Sequence, residues 1–282
     1  MGIMTGPKDS EAPQVDIIMA TCRHLPYLRP ALRSLAGQDW AGWELTVVLD
    51  GMADKDARLV VTTVREVIPA ARVRRQRRLG VSAARNLGLS LARAELVVFA
   101  DDDDIWALDK ISSQVRLLAE HPDWVGCLHA SELVDADGRP SGQYIGGPLD
   151  RDTLFGAYSD GWCGAAFMVR RQAAIACGGY SPNYTLCEDL AFAMELVERG
   201  HVGWDPRPLI QYRKHRAGMT ADERKMFKAT LRVYQDRLAR AEALGDQDDA
   251  ETLRYSAESI SSWLAQLPPG QAPGTARNTQ QT

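Results

Sequence analysis

The chain has 282 residues, 45% hydrophobic and 25% charged, with a formal net charge of -4 at pH 7. Such a length suits one α/β domain of about 220 to 240 residues with appended helices. The weak charge argues against nucleic-acid binding through overall charge, and no apolar run approaches the ~20 residues of a membrane-spanning helix.

Residues 1–14 lack the apolar core of an export signal, so a flexible leader and a cytoplasmic chain are expected. Five cysteines, Cys22, Cys127, Cys163, Cys177 and Cys187, show no CxxC spacing, which predicts reduced thiols rather than a zinc site or disulfide frame. Residues 15–20 (VDIIMA) read as a buried strand, with a turn over 21–26. Leu28, Ala31, Leu32 and Leu35 then recur at helical spacing until Gly37. A second strand over 43–49 stops at Asp50 and Gly51, and Asp54 is expected to cap a helix carrying Ala57, Val60, Val61, Val64, Val67 and Ile68. A short strand over 72–76, a helix over 80–93 and an apolar strand up to Phe99 follow. Strands alternating with helices predict a parallel sheet, whose ligands bind at the carboxyl ends of the strands.

The fourth strand ends in Asp101, Asp102, Asp103 and Asp104. In extended chain alternate side chains point the same way, so Asp101 and Asp103 are expected to face one site, with Asp102 and Asp104 facing elsewhere. Converging carboxylates repel unless a cation lies between them, and hard oxygen ligands suit Mg²⁺ or Mn²⁺. The competing account is a solvated acidic loop in which Asp104 caps the helix expected over 108–120.

The second half is less regular. A strand is expected over 124–130, a hairpin turn at Asp137 and Gly138, a loop over 142–147 and a strand over 165–170. Glu188 and Asp189 open a helix that runs to Gly200, and two strands follow near 202–204 and 209–213. Residues 220–267 read as a charged helical hairpin packed on the sheet, its helices also a candidate homodimer surface; the polar tail 268–282 is expected to be disordered.

In order and spacing, IIMATCRHLPYLRPALRSLAGQ, ELTVVLDG, GVSAARNLGLSLA, LVVFADDDDIW and CEDLAFAMELVERG resemble family-2 inverting glycosyltransferases of the GT-A fold. The likeness covers about residues 15–219, with a nucleotide-binding half over 15–120 and an acceptor-binding half over 121–219. It implies a Rossmann-like α/β/α sandwich around a mixed, mostly parallel sheet, with C-terminal helices added. The implied reaction is metal-dependent transfer of a hexosyl or N-acetylhexosaminyl group from a UDP-, dTDP- or GDP-linked donor to an acceptor hydroxyl.

Roles follow from the resemblance residue by residue. Asp50 falls where a carboxylate pairs with the nucleobase, and uracil, thymine and guanine all offer it a ring N–H. Ala20 and Thr21 would pass along the base or ribose. Asp103 is the first choice for metal contact, with Asp101 nearer the ribose and metal waters and Asp102 the middle residue of the motif. Arg78, just before Gly80, would meet the base or a phosphate, whereas most of Arg72, Arg74, Arg75 and Arg77 read as a solvated strand edge. Arg85 would either offer its planar fork to the diphosphate or staple helix to sheet.

Asp189 inherits the role of general base, with Glu188 orienting it or holding acceptor hydroxyls. The helix start should favour its ionised form and Glu188 should oppose that, and a low carboxylate pKa is compatible with the role. His215, in YRKH, falls where a histidine reaches metal or diphosphate, and Trp162 and Cys163 fall where acceptor loops occur. A catalytically silent nucleotide-sugar-binding module would carry the same donor site. A sugar-phosphate nucleotidyltransferase would need an early Gly-rich loop, where this chain has TCRHLPYL.

Overall fold

The structure, a computed structural model, describes residues 14–156 and 164–267. Strands β1 (Val15–Thr21), β2 (Trp43–Asp50), β3 (Arg72–Gln76) and β4 (Leu96–Ala100) run parallel. Helices α1 (Leu28–Ala36), α2 (Asp54–Val67) and α3 (Val81–Leu91) connect them. β1 and β4 lie at the sheet centre and are almost wholly buried, which is why they read as unbroken apolar runs. The order β3-β2-β1-β4 reverses direction between β1 and β4. Their carboxyl ends, at Thr21 and Ala100, therefore flank the crevice where such sheets take ligands.

α3 lies tight on β1, since a Cβ on Gly88 would stand 2.2 Å from Ile18 Cγ2. At the far end of β1, buried Asp16 accepts from Arg72 at 2.7 Å and from the backbone N–H groups of Arg93 and Ala94. Arg72 is thus a structural member of the basic run, and Arg75 pairs with Asp54 at 2.8 Å.

The later half adds β5 (Ile105–Trp106), α4 (Lys110–Glu120), β6 (Gly126–Val134), β7 (Pro140–Ile145), α5 (Arg151–Gly156) and β8 (Met168–Arg170). α6 (Arg171–Ala176), α7 (Glu188–Val197), β9 (Val202–Arg213), α8 (Glu223–Leu244) and α9 (Gln247–Gln266) complete it. β8 joins β4 to β6 antiparallel, β6 and β9 are parallel, and β5 and β7 are antiparallel edges, so the sheet is mixed. α8 and α9 pack on each other, and Arg237 of α8 pairs with Glu195 of α7 at 2.5 Å. Among the described residues no helix is long and apolar enough to cross a membrane.

Several local expectations need correction. Ala53, not Asp54, caps α2, and Asp54 lies in its first turn. The hairpin at Gly138 continues through residues 140–145 as β7, where a loop was expected from 142. Residues 202–213 form one strand rather than two, because β6 stays paired with it across register shifts around Asp205 and Pro208. Only Met168–Arg170 of the expected strand over 165–170 pairs; Gly164–Ala166 is a 3-10 turn whose alanines fill the core.

Candidate active site

A cavity of about 330 Å³ opens at the carboxyl ends of β1, β2 and β4. Ala20, Thr21, Asp50, Arg78, Gly80, Asp101, Asp102 and Asp103 all line it, together with Tyr184, Tyr212 and Met219. One concavity thus gathers residues from seven separate stretches of the sequence.

Asp50 ends β2 and is buried. Its Oδ1 accepts from Gln76 Nε2 at 2.9 Å and from Leu79 N at 2.8 Å, and its Oδ2 from Gly80 N at 3.0 Å. The carboxylate therefore shapes the 76–80 loop, and three of its roughly four acceptor positions are taken before any base arrives. Gly51, at φ +61°, packs under that loop: a Cβ there would stand 2.2 Å from Arg78 Cβ. Arg78 projects exposed along the cavity wall.

The four aspartates divide differently from strict alternation. β4 ends at Ala100, so no extended strand fixes the side chains beyond it. Asp102 faces the same cavity as Asp101 and Asp103, accepting the hydroxyl of Thr21. Burial, then the charge of Asp103, push its pKa up to about 7, against the Thr21 bond. Asp103 is also raised, by burial and then by Asp101, while a hydrogen bond to His215 Nε2 at 2.8 Å opposes the shift. Asp104 is buried and accepts from Arg213 N at 2.9 Å, a bond to the end of β9 rather than a helix cap. The Arg213 side chain then donates to the Asp103 carbonyl at 3.0 Å and lies over the Tyr27 ring.

Glu188 and Asp189 open α7. Cys187 before them is left-handed, at φ 59°, the one non-glycine of positive φ among the described residues. Its Sγ lies 3.4 Å from Thr230 Oγ1 of α8, so the C-terminal helices brace the turn that presents the acid pair. Asp189 Oδ1 accepts from Leu190 N at 2.9 Å, and a Cβ on Gly164 would stand 3.1 Å from Asp189 Oδ2. Burial first, then the charge of Glu188, push Asp189 up to about 7 against the pull of Arg85. Of the two opposing influences expected on Asp189, that of Glu188 prevails together with burial, which outweighs the helix start.

Arg85 is buried with both terminal nitrogens on carboxylates: Nη1 to Glu188 Oε1 at 2.8 Å and Nη2 to Asp101 Oδ1 at 2.9 Å. Burial alone would lower its pKa, but the surrounding acids, Asp101 foremost, raise it, so the guanidinium stays charged. Trp162 and Cys163 lie outside the described residues. The four described cysteines are free.

Sequence reasoning missed Asn86, Gly164, Tyr180 and Arg213. ARN spacing hinted at the first and YRKH contains the last, but nothing local marks Gly164 or Tyr180, whose partners are distant in sequence.

The residues also suit a hard divalent cation. Among the described residues no three His, Cys, Asp or Glu side chains converge as a ready-made site. Mg²⁺ and Mn²⁺ commonly take one or two carboxylates and complete their shell with phosphate oxygens and water, which Asp103 and Asp101 in the cavity lining, with His215 bonded to Asp103, would permit.

Residues 16–177 match the family model for glycosyl transferase family 2. The chain belongs to that family. Its curated glycosyltransferase relatives include TuaG of Bacillus subtilis (strain 168), provisionally named for teichuronic acid biosynthesis. That protein is 24% identical over 234 residues, 79% of this chain and 88% of TuaG. EpsH of the same organism, also provisionally named a glycosyltransferase, is 30% identical over 125 residues; the match spans 44% of this chain and 36% of EpsH. Among solved structures, the mannosyltransferase PcManGT from Pyrobaculum calidifontis, in complex with GDP-Man and Mn²⁺, shares the fold with TM-score 0.61 at 18% identity. That superposition covers 97% of this chain and 80% of PcManGT.

Proposed function

We propose that the chain moves a hexosyl or N-acetylhexosaminyl group from a UDP-, dTDP- or GDP-linked donor to an acceptor hydroxyl by single displacement, inverting the anomeric carbon. One observation carries the reading: a single guanidinium, that of Arg85, touches both Asp101 at the donor cavity and Glu188 beside Asp189. That bridge supports reading the strand-end acids and the helix-start acids as parts of one site.

In this reading Thr21, Asp50, Arg78 and Gly80 hold the nucleoside end of the donor, with Ala20 passing along it. Asp103, Asp101 and His215 would hold Mn²⁺ or Mg²⁺, with Asp102 beside them. When bound, such a cation would offset the charge of the departing nucleoside diphosphate. Asp189 takes the acceptor proton as the hydroxyl oxygen bonds to carbon, and Glu188 orients it. Holding acceptor and sugar in line supplies much of the rate. PcManGT, bound to GDP-Man and Mn²⁺, is consistent with such a donor and cation, and the free described cysteines with a cytoplasmic setting.

The test is thermal stabilisation against UDP-, dTDP- and GDP-sugars with Mn²⁺, followed by proton NMR of the product's anomeric configuration. Stabilisation by one donor and inverted product support the reading. Binding without hydrolysis or transfer would leave a silent donor-binding module, and retention would remove the single displacement.

A further inference from the structure

Arg85 sits on α3, 3% exposed, between two acids from elements far apart in the chain. A guanidinium presents donors in one rigid plane, so it holds two carboxylates at a set spacing where a lysine ammonium holds a point. Its seat is itself fixed. The Tyr180 ring lies 5.0 Å from the guanidinium carbon, and Phe99 and Phe192 pack on that ring at 4.9 and 4.6 Å. Asn86, next in sequence, donates to the Tyr180 carbonyl at 2.7 Å and accepts from its N–H at 2.8 Å.

Two simpler roles fit poorly. A donor phosphate would have to reach a guanidinium that is almost wholly buried and already holds a carboxylate on each terminal nitrogen. A mere helix staple is better made from apolar side chains, since a buried ion pair seldom exceeds a hydrophobic replacement in stability.

The geometry points to Arg85 as a positioning residue that sets the spacing between Asp101, on the cation and diphosphate side, and Glu188, beside the proton acceptor. This rests on the function proposed above. A consequence follows for the cation: the Arg85 charge competes for Asp101, so its removal tightens divalent-cation binding while it slows turnover.

The test uses the full chain with Arg85→Met and Arg85→Lys. Mn²⁺ alone is titrated by electron paramagnetic resonance, and nucleoside diphosphate release from UDP-glucose, UDP-GlcNAc, dTDP-glucose and GDP-mannose is followed in parallel. In Arg85→Met, Mn²⁺ is expected to bind about threefold or more tighter, with donor KM nearly unchanged and kcat down about a hundredfold. Arg85→Lys restores Mn²⁺ affinity but recovers less than about a tenth of kcat, because one ammonium does not span both carboxylates. A donor KM raised about tenfold at constant kcat would make Arg85 a diphosphate ligand and overturn the proposal. Weaker Mn²⁺ binding in a folded Arg85→Met, or an unchanged kcat with only a lower Tm, overturns it as well. If Arg85→Met does not fold, the two Arg85→Lys values decide. The functional reading fails separately, through a wild-type chain that binds and cleaves none of the four donors; the Mn²⁺ titration still judges Arg85 in that event.

Discussion

His215 Nε2 lies 2.8 Å from Asp103 Oδ2, with the imidazole packed 4.8 Å from the Tyr27 ring. The segment after β9 is thereby held against the end of β4, and an aspartate and a histidine meet where the diphosphate is proposed to lie.

Chelation with EDTA should silence turnover, and Mn²⁺ or Mg²⁺ should restore it. His215→Ala is expected to raise the Mn²⁺ dissociation constant by about tenfold, as loss of a ligand or its orienting partner does. Titration by paramagnetic resonance, with circular dichroism as the check on folding, measures this. An unchanged constant would take His215 out of the cation site.

Asp189 gives the pH dependence. Its carboxyl is raised from 3.8 to about 7 by burial and Glu188, so the proton-accepting form is complete only above about pH 7. The kcat/KM should fall about tenfold per pH unit below that point. The stability sign is the reverse. A raised carboxyl pKa contributes stability that is whole below 3.8 and lost as pH climbs through about 7. Asp189→Asn should therefore match wild-type Tm near about pH 4 and exceed it by a few degrees near about pH 8, as read by calorimetry at the two pH values.

Gly164 leaves room for the acid it faces. A Cβ there would come within 3.1 Å of Asp189 Oδ2 and 3.2 Å of Asp189 Cβ. Gly164→Val should lower kcat by about a hundredfold with donor KM nearly constant, because a displacement of about an ångström at a reacting group costs that much. Steady-state kinetics normalised to the folded fraction, read by circular dichroism, separate this from general destabilisation.

Much of this was legible before any coordinates. The apolar runs of β1, β2 and β4, each cut off by a turn or a carboxylate, marked the parallel half because both their faces are buried. The helical spacing of α1 and α3 did the same for its layers. Illegible were the features made by distant partners. Asp104 looks like a loop acid until β9 brings Arg213 N to it. The β7 edge, PSGQYI, is exposed and polar, so its strand character lies in pairing with β6 rather than in its own pattern. Asp189's elevated pKa likewise comes from enclosure that neighbours in sequence do not show.

Gly51 tests the nucleoside end. At φ +61°, with a Cβ that would meet Arg78 Cβ at 2.2 Å, Gly51→Ala strains the backbone and pushes out the loop that Asp50 holds. The expected cost is about 1 to 3 kcal/mol of stability. Donor affinity should fall with it, as isothermal titration calorimetry of the nucleoside diphosphate with Mn²⁺ would show.

The most direct measurement is turnover and donor binding of Asp189→Asn side by side, at a pH above about 7 where the wild-type carboxylate is ionised. The account predicts donor and Mn²⁺ binding within about threefold of wild type and sugar transfer reduced by about a thousandfold or more. Transfer at near wild-type rate in that variant would contradict it.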